Sequence, residues 1–241
     1  MQGPPRVVNV VQARLTSKRF PEKVFATLSG RPIIEWIAER TLASSLTSEV
    51  VFAVPDTASN APLAQYVEGL GTNVFRGPEK DVLQRMYLAA QAFEPDIVIR
   101  TCADRPLVDP RIIDYTIGEY MSGPAGGICF SHRPGGDQLW DFGFGVEVFS
   151  FSMLESLTFQ ARSEAHREHV TLLAYENGAP NVRPAQVPDR LAGLMWGGRR
   201  FDVDTPADLM RVQELVGEAG PDISAESVLE RAACLPGRLQ T

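Results

Sequence analysis

Four cationic side chains gather in one loop near the start of the chain, directly after an apolar segment. The loop carries Arg14, Lys18, Arg19 and Lys23, and the segment before it includes Val7, Val8, Val10 and Val11. Such an apolar run is typical of a central parallel strand, and parallel sheets bind ligands just beyond the carboxyl ends of their strands. Arginine and lysine suit phosphate oxygens. Taken alone, the pattern fits a polyanion site and a solvated basic loop equally well.

Two aspartates at other predicted element ends supply the opposite charge. Asp104 follows an apolar strand that ends at Thr101, where an aspartate either starts a turn or faces a ligand. Asp204 precedes a helix that Thr205 and Asp208 already cap, so its charge either stabilises the helix start or serves a ligand. Mg²⁺ takes one or two carboxylates together with substrate phosphates. The acids and the loop cations together therefore predict a site for Mg²⁺ and a nucleotide.

Other chemical signals are weaker. His166 and His169 lie three residues apart on a predicted helix, but no third ligand of suitable spacing is evident, so a structural or substrate-contacting role is favoured over a metal pair. Glu147 interrupts an apolar strand, which places it either on an exposed face or towards a ligand. The patterns GxxxxGK[ST], GxGxxG, GxSxG and HExxH are absent. Side-chain cations, and not a glycine cradle, would therefore hold the phosphates.

The composition is that of an ordinary globular protein, with 241 residues, 44% hydrophobic residues and a formal net charge of −7. The acidic balance argues against nucleic-acid and membrane-surface binding, which need a broad basic face. Cys102, Cys129 and Cys234 are far apart and form no CxxC pair, as expected for reduced cysteines in a cytosolic protein. The first residues contain no apolar leader, so the sequence predicts a cytoplasmic location.

Alternating apolar and amphipathic segments fill the first half of the chain. The predicted strands are the segment from Val7, Glu49–Val54, Asn73–Phe75 and Asp96–Thr101, and Val24–Leu28 is a short apolar stretch. The predicted helices are Pro32–Ser44, Ala61–Leu70, Asp81–Phe93 and Pro110–Met121. This alternation predicts an α/β fold with a doubly wound, mostly parallel sheet.

The second half is less regular. Its predicted elements are a linker at Ser122–Gly127, strands at Ile128–Phe130, Gly145–Phe151 and Val182–Val187, and helices at Ser163–Glu176, Pro206–Val216 and Ala225–Ala233. The strand at Val182–Val187 is expected to be antiparallel, His132–Gly136 is a predicted loop, and Gly197-Gly198 precedes the segment 199–203. Residues 1–241 are expected to form a single domain, from which residues 128–187 make an excursion for acceptor binding or dimerisation.

Several of these segments together resemble a known family. Residues 13–23 read ARLTSKRFPEK, which resembles the ARxxSxRLPxK signature of Kdo and spore-coat-polysaccharide-type cytidylyltransferases, with Phe20 in place of the usual leucine. Further matches follow in order: VFRG at 74–77, DVLQR at 81–85, DRPLVDP at 104–110, VEVF at 146–149, REHVT at 167–171 and VDTPADL at 203–209. The chain is thus similar to the CMP-sugar-acid synthetases from about residue 7 to residue 212.

The resemblance implies a Rossmann-like, nucleotide-diphosphosugar-transferase-like fold for this single nucleotidyltransferase domain. It also implies a reaction that needs Mg²⁺, in which CMP passes from CTP to a nonulosonic or Kdo-like sugar acid and pyrophosphate is released for surface glycan biosynthesis. Relatives of this kind are commonly dimers that extend an arm across the partner's site, so the resemblance implies a homodimer. Backbone groups near Ala13 would recognise the cytosine.

The resemblance also assigns roles to individual residues. The nucleotide would be bound by Ala13, Arg14, Ser17, Lys18, Arg19, Lys23 and Arg76. The catalytic residues would be Arg14, Arg19, Lys23, Asp104 and Asp204, of which the two aspartates would be the metal ligands. Arg85, Glu147, Arg167 and His169 would lie towards the acceptor.

Two departures from the family pattern bear on the substrate. The usual glycine before the metal aspartate is Ala103, which still permits a close approach. The aspartate that often precedes the VEVF glutamate by two residues is Gly145. This second loss falls on the acceptor side and leaves open the alternative of transfer to a sugar phosphate or phosphonate. A separate alternative, of another class, is a non-catalytic nucleotide-binding relative. Retention of both acids and all the loop cations argues against the second.

Overall fold

The computed structural model describes residues 3–124, 126–131, 140–179, 181–194 and 199–234. Its strands are β1 (Val7–Gln12), β2 (Thr27–Leu28), β3 (Arg31–Pro32), β4 (Glu49–Pro55), β5 (Asn73–Gly77), β6 (Ile97–Cys102), β7 (Ile128–Phe130), β8 (Glu147–Ser150) and β9 (Val182–Pro184). Its α-helices are α1 (Ile33–Leu42), α2 (Ala61–Gly69), α3 (Val82–Gln91), α4 (Pro110–Ser122), α5 (Phe151–Gln160), α6 (Glu164–Glu168), α7 (Leu172–Glu176), α8 (Pro206–Val216) and α9 (Ala225–Ala233). The predicted loop His132–Gly136 and the Gly197-Gly198 pair lie outside the described residues.

A seven-stranded sheet in the order β5-β4-β1-β6-β8-β7-β9 forms the centre of the molecule. Strands β1, β4, β5 and β6 are parallel neighbours, and β8 alone among the seven runs against them. Strand β1 carries buried valines on both faces, since both faces are covered: Val8 and Val10 belong to one core cluster, and Val7 and Val11 to the other. The predicted doubly wound, mostly parallel α/β fold is confirmed.

The pairing of β1 with β6 decides where the site lies. The two strands run parallel with Gln12 opposite Cys102, and the Ala103 amide donates to the Gln12 carbonyl at 3.0 Å. The cationic loop that follows β1 and the Asp104 turn that follows β6 therefore begin side by side at one edge of the sheet. This is the carboxyl edge, where parallel sheets bind ligands.

The second half of the chain differs from the sequence prediction in two ways. Strands β7, β8 and β9 all join the main sheet, so the strands of residues 128–187 do not leave it. Strand β9 pairs with β7 in parallel, through the register Ile128–Val182, and not in the expected antiparallel direction. The sheet thus continues beyond the point where the sequence predicted an excursion.

Within the described ranges, every helix is too short or too polar to cross a membrane.

The helices of this half also differ. The predicted strand to Phe151 ends at Ser150, whose side chain caps the unpredicted helix α5 by accepting the Met153 amide at 3.1 Å. The predicted helix Ser163–Glu176 is two helices, α6 and α7, because tertiary contacts hold the residues between them. Val170 there is fully buried, and the Thr171 hydroxyl donates to Glu147 at 2.8 Å.

Candidate active site

The cationic loop after β1 is held in shape by its own backbone and by one buried side chain. The Leu15 amide donates to Asn60 Oδ1 at 2.8 Å, and the Leu15 carbonyl accepts the Glu22 amide at 3.0 Å. Glu22 takes the left-handed conformation (φ 53°) where the loop turns into a short 3₁₀ helix at Lys23–Phe25. The loop therefore returns to the sheet edge at Lys23.

Lys23 lies between the two predicted metal carboxylates. Its Nζ is 2.9 Å from Asp204 Oδ1 and 3.5 Å from Asp104 Oδ2. The lysine side chain is 13% exposed, and those of Asp204 and Asp104 are 18% and 29% exposed. Three residues from distant parts of the sequence thus meet at the carboxyl edge, as the sequence predicted.

Asp104 and Asp204 are fixed relative to one another through the backbone. The Val203 amide donates to the Asp104 carbonyl at 2.7 Å, which joins the segment before α8 to the turn after β6. Thr205 and Asp208 form the predicted capping box at the start of α8, and Asp208 also accepts the Asp204 amide at 3.1 Å. The cap needs no contribution from the Asp204 carboxylate, which is free to face the crevice.

The charges around Asp104 keep it ionised. Burial alone would raise the pKa of this carboxyl, but the positive charges of Lys23 and Arg105 outweigh burial and lower it. Asp104 Oδ1 is buried and has no hydrogen-bond partner among the described residues, with Arg105 Nε 3.8 Å away. An ionised carboxylate with a free lone pair and a second carboxylate nearby are the ligands that a hard divalent cation takes.

Two arginines complete the positive charge around the acid pair. Arg19, predicted from the loop, contacts Asp204 Oδ2 at 2.7 Å. Arg200, which the sequence analysis missed, pairs with Asp202 at 2.5 Å and lies 3.9 Å from Asp204, with its guanidinium over the Phe142 ring. The available signal was its position four residues before Asp204.

The other predicted nucleotide residues lie along the same edge but are not all in one cluster. Arg14 is half-exposed and 3.7 Å from Glu168 of α6. Arg76 pairs with Asp56 at 3.0 Å at the end of β5. Ser17 Oγ accepts the Phe20 amide at 3.4 Å and so stabilises the loop, while Lys18 is exposed at the loop surface.

Two of the predicted acceptor residues lie at the surface. Arg167 pairs with Asp81 at 3.4 Å, which joins α6 to the cap of α3, and His169 is exposed at the end of α6. His166 pairs with Glu176 at 2.8 Å instead of facing His169. Among the residues that the structure describes, no three His, Cys, Asp or Glu side chains are placed to hold a metal ion.

Arg85 and Glu147 are buried instead. Arg85 donates to the backbone carbonyls of Ala53, Pro78 and Glu79. Glu147 is wholly inaccessible, so it does not lie on an exposed face, the first of the two positions expected from its strand. The second position, towards a ligand, stays a prediction. The structure therefore gives both side chains partners within the protein.

A buried network surrounds Glu147. Its carboxylate accepts hydrogen bonds from Arg100, Tyr175 and Thr171, and Arg100 Nε in turn donates to Gln12 Oε1 at 3.3 Å. Burial and the neighbouring carboxylate raise the pKa of Tyr175 well above its ordinary value. None of these partners was apparent from the sequence, because they come from three separate elements: β6, β1, and α7 with its N-cap Thr171.

The fold and the acid–cation cluster are typical of an α/β enzyme that binds nucleotides. The family model for cytidylyltransferases matches residues 8–180, and the protein therefore belongs to the cytidylyltransferase family. The predicted membership and the predicted class of enzyme, a CTP-dependent nucleotidyltransferase, are confirmed.

Several curated proteins are similar in sequence. An uncharacterised protein of Methanocaldococcus jannaschii is 32% identical over 87% of this chain and 83% of its own length. The spore coat polysaccharide biosynthesis protein SpsF of Bacillus subtilis is 27% identical over 92% of each chain. The 3-deoxy-manno-octulosonate cytidylyltransferase of Geobacter sulfurreducens is 33% identical over 49% of this chain and 47% of its own. The likeness to the octulosonate enzyme thus spans about half of each chain.

Solved structures share the fold. A cytidylyltransferase from Leptospira borgpetersenii superposes with a TM-score of 0.85 at 24% identity, covering 98% of both chains. A CMP:2-keto-3-deoxy-manno-octonic acid synthetase solved with CTP superposes with a TM-score of 0.65 at 19% identity, covering 88% of this chain and 99% of the other. At these identities the comparison establishes the architecture alone.

Proposed function

We propose that this cytidylyltransferase transfers CMP from CTP to a nonulosonic or Kdo-like sugar acid and releases pyrophosphate, as a step of surface glycan biosynthesis. The observation that carries the proposal is the position of Lys23 between Asp104 and Asp204 at the carboxyl edge of the sheet. The similarity to a polysaccharide biosynthesis protein and to an octulosonate cytidylyltransferase supports the acceptor class.

The acid pair fits Mg²⁺. Asp104 offers a buried oxygen without a hydrogen-bond partner in the described part of the chain, and Asp204 offers a second carboxylate joined to it through the backbone. Two protein carboxylates plus phosphate oxygens make a typical Mg²⁺ environment. When bound there, Mg²⁺ would neutralise phosphate charge and lower the pKa of an attacking hydroxyl.

The proposed reaction needs positioning more than covalent chemistry. An acceptor hydroxyl attacks the α-phosphorus of CTP, the bond from that phosphorus to the bridging oxygen breaks, and pyrophosphate leaves. Arg19 and Lys23 stabilise the charge that develops on the leaving group. The set that binds the nucleotide is Ala13, Arg14, Ser17, Lys18, Arg19, Lys23 and Arg76.

The acceptor residues divide into two groups in this proposal. Arg167 and His169, on α6 and at its end, are accessible and would meet the acceptor directly. Glu147 and Arg85 are buried and would act through the groups that they hold. For Glu147 those groups are Arg100 and, beyond it, Gln12 at the end of β1.

A pyrophosphate-release assay tests the proposal. The protein is supplied with Mg²⁺, one nucleoside triphosphate and one acceptor at a time, first nonulosonic acids and Kdo, then sugar phosphates and phosphonates. We expect release with CTP and a sugar acid, and little with ATP, GTP or UTP. Release only with phosphorylated acceptors would contradict the acceptor class, and CTP binding without release for any acceptor would favour a non-catalytic relative.

One observation supports a second acceptor class. A Cβ atom on Gly145 would lie 2.4 Å from the Ser131 carbonyl oxygen, so this position cannot hold an aspartate without movement of the backbone. The acceptor side therefore differs in shape as well as in charge from relatives that have the aspartate. A sugar phosphate or phosphonate is the alternative acceptor on this ground.

Two further expectations belong to the proposal. We propose that the protein works as a homodimer and in the cytoplasm, as the resemblance and the composition predict. Light scattering coupled to size exclusion should give a mass near twice the 26.4 kDa of the chain. A monomer that retains full activity would contradict the dimer.

A further inference from the structure

Lys23 holds the position between the two acids that a divalent cation would need. Its Nζ contacts both Asp104 and Asp204, and the three side chains are each less than a third exposed. At such distances, in a partly buried site, the attraction between an ammonium and a carboxylate is several times stronger than in bulk water. The ammonium is therefore an effective counter-ion for the acid pair.

The protein offers few other ligands at this position. Among the described residues no third carboxylate, histidine or cysteine completes a metal site, and the remaining contacts of Asp204 are with Arg19 and Arg200. A cation that entered alone would have two carboxylates, and it would meet the positive charge of Lys23. Phosphate oxygens would both add ligands and give Lys23 a new anionic partner.

The geometry of Lys23 allows its ammonium to move while its backbone stays in place. The backbone is fixed in the 3₁₀ helix Lys23–Phe25, where the Lys23 amide donates to Phe20 and its carbonyl accepts Ala26. The flexible four-carbon side chain can carry the charge away from the acids. No rearrangement of the loop is needed for this exchange.

We propose that Lys23 is a built-in counter-ion which excludes a divalent cation from Asp104 and Asp204 until the nucleotide phosphates bind. This inference rests on the proposed function and adds an order to it: metal and CTP bind together, and metal alone binds weakly. Removal of the lysine charge, with the acids intact, should therefore strengthen the binding of metal alone.

Titration of the protein with Mn²⁺, without nucleotide or acceptor, tests this proposal. The free Mn²⁺ is followed by its electron paramagnetic resonance signal. Lys23→Met should bind Mn²⁺ at least about ten-fold more tightly than the unaltered protein. Lys18→Met is the matched control, because it removes the same charge from the same loop but from an exposed side chain. Its Mn²⁺ affinity should change by less than about two-fold.

A second measurement uses the unaltered protein and does not depend on how the variant folds. The chain has three lysines, at 18, 23 and 80, so ¹³Cε-labelled lysine gives three signals, which Lys18→Arg and Lys80→Arg assign. The Lys23 signal should stay in place when Mg²⁺ alone is added, and should shift when Mg²⁺ and CTP are added together. The Lys80 signal should not move in either case.

The possible outcomes separate this inference from the proposed function. Unchanged Mn²⁺ affinity in a folded Lys23→Met, or an equal gain in Lys18→Met, would overturn the inference. A Lys23 signal that stays in place with Mg²⁺ and CTP would overturn it as well. Because neither measurement contains an acceptor, failure of the acceptor panel would leave these results standing, and pyrophosphate release would not rescue a negative result here.

Discussion

Two carboxylate clusters lie at the same end of the sheet and are built in opposite ways. Asp104 and Asp204 are partly exposed, and their nearest cationic partners, Lys23 and Arg19, are long side chains from the loop after β1. Glu147 is fully buried, and its partners come from the strands and helices of the core. In the proposal above, the first cluster exchanges its partners for a ligand, whereas the second could not do so without a loss of folding free energy.

The contrast indicates what each acid is for. Burying a carboxylate without a partner costs free energy, so Glu147 keeps its hydrogen-bond partners and holds their side chains in place. Through Arg100 it reaches Gln12, the last residue of β1, directly before the cationic loop. The buried cluster thus shapes the base of the loop whose charges surround the exchangeable one.

The largest predicted effect is on turnover. Asp104→Asn and Asp204→Asn should each lower pyrophosphate release by more than about 10³-fold, because each removes a negative charge from the proposed metal site. Both side chains are partly exposed, so circular dichroism and thermal unfolding should show an intact fold. Release within about ten-fold of the unaltered rate would contradict the assignment of these acids as metal ligands.

At Glu147 the expected effect is on the stability of the fold. Glu147→Gln should destabilise the protein by about 3–5 kcal/mol, because it leaves the Arg100 charge buried without its counter-ion. Urea unfolding measures this loss, with the exposed Glu230→Gln as a control that should stay within about 0.5 kcal/mol. Adding Arg100→Met to Glu147→Gln should recover part of the lost stability; no recovery would mean that the unpaired charge is not the cause.

A smaller effect is predicted for one donor of the same network. Tyr175→Phe removes the hydroxyl that donates to Glu147 but keeps the ring, which packs edge-on against Phe130. The loss of a hydrogen bond to a charged group should cost about 1.5–3 kcal/mol in urea unfolding. Unchanged stability would show that the hydroxyl contributes nothing to the fixed cluster.

The smallest effect is a pH dependence at the exchangeable cluster. The folded-state pKa of Asp104 is lowered, so Asp104 stabilises the fold above its unfolded pKa of about 3.9, and this contribution is lost as the pH falls below that value. In Asp104→Asn the unfolding free energy should therefore fall less steeply between about pH 5 and pH 3. The exposed Asp189→Asn is the control, and an equal change in its slope would contradict the prediction.

The exchangeable cluster was the more predictable of the two from sequence. Its residues follow strands or precede a helix, and the rule that parallel strands share a carboxyl edge is enough to bring Lys23 and Asp104 together. In addition, Thr205 and Asp208 already cap α8, which indicated that Asp204 is not needed for the cap. Arg200 was missed because the sequence of its segment has no periodic pattern that predicts a helix or a strand.

The buried cluster was not predictable in the same way. Arg100 faces Glu147 because β6 and β8 pair antiparallel in one particular register, which no local pattern in the sequence specifies. The break between α6 and α7 has the same origin, since the contact of Thr171 with Glu147 overrides the helical pattern of residues 163–176. Local patterns thus located the acid–cation cluster at the carboxyl edge, whereas long-range pairing decided what lies beneath it.

The hydrogen bond from the Val203 amide to the Asp104 carbonyl has a consequence for biosynthesis on the ribosome. It joins residues that are almost a hundred positions apart, so the strands before Asp104 are synthesised well before Asp204. A nascent chain that stops before Asp204 therefore contains the cationic loop and only one of the two acids. Prematurely terminated products would carry the cationic loop without a complete acid pair.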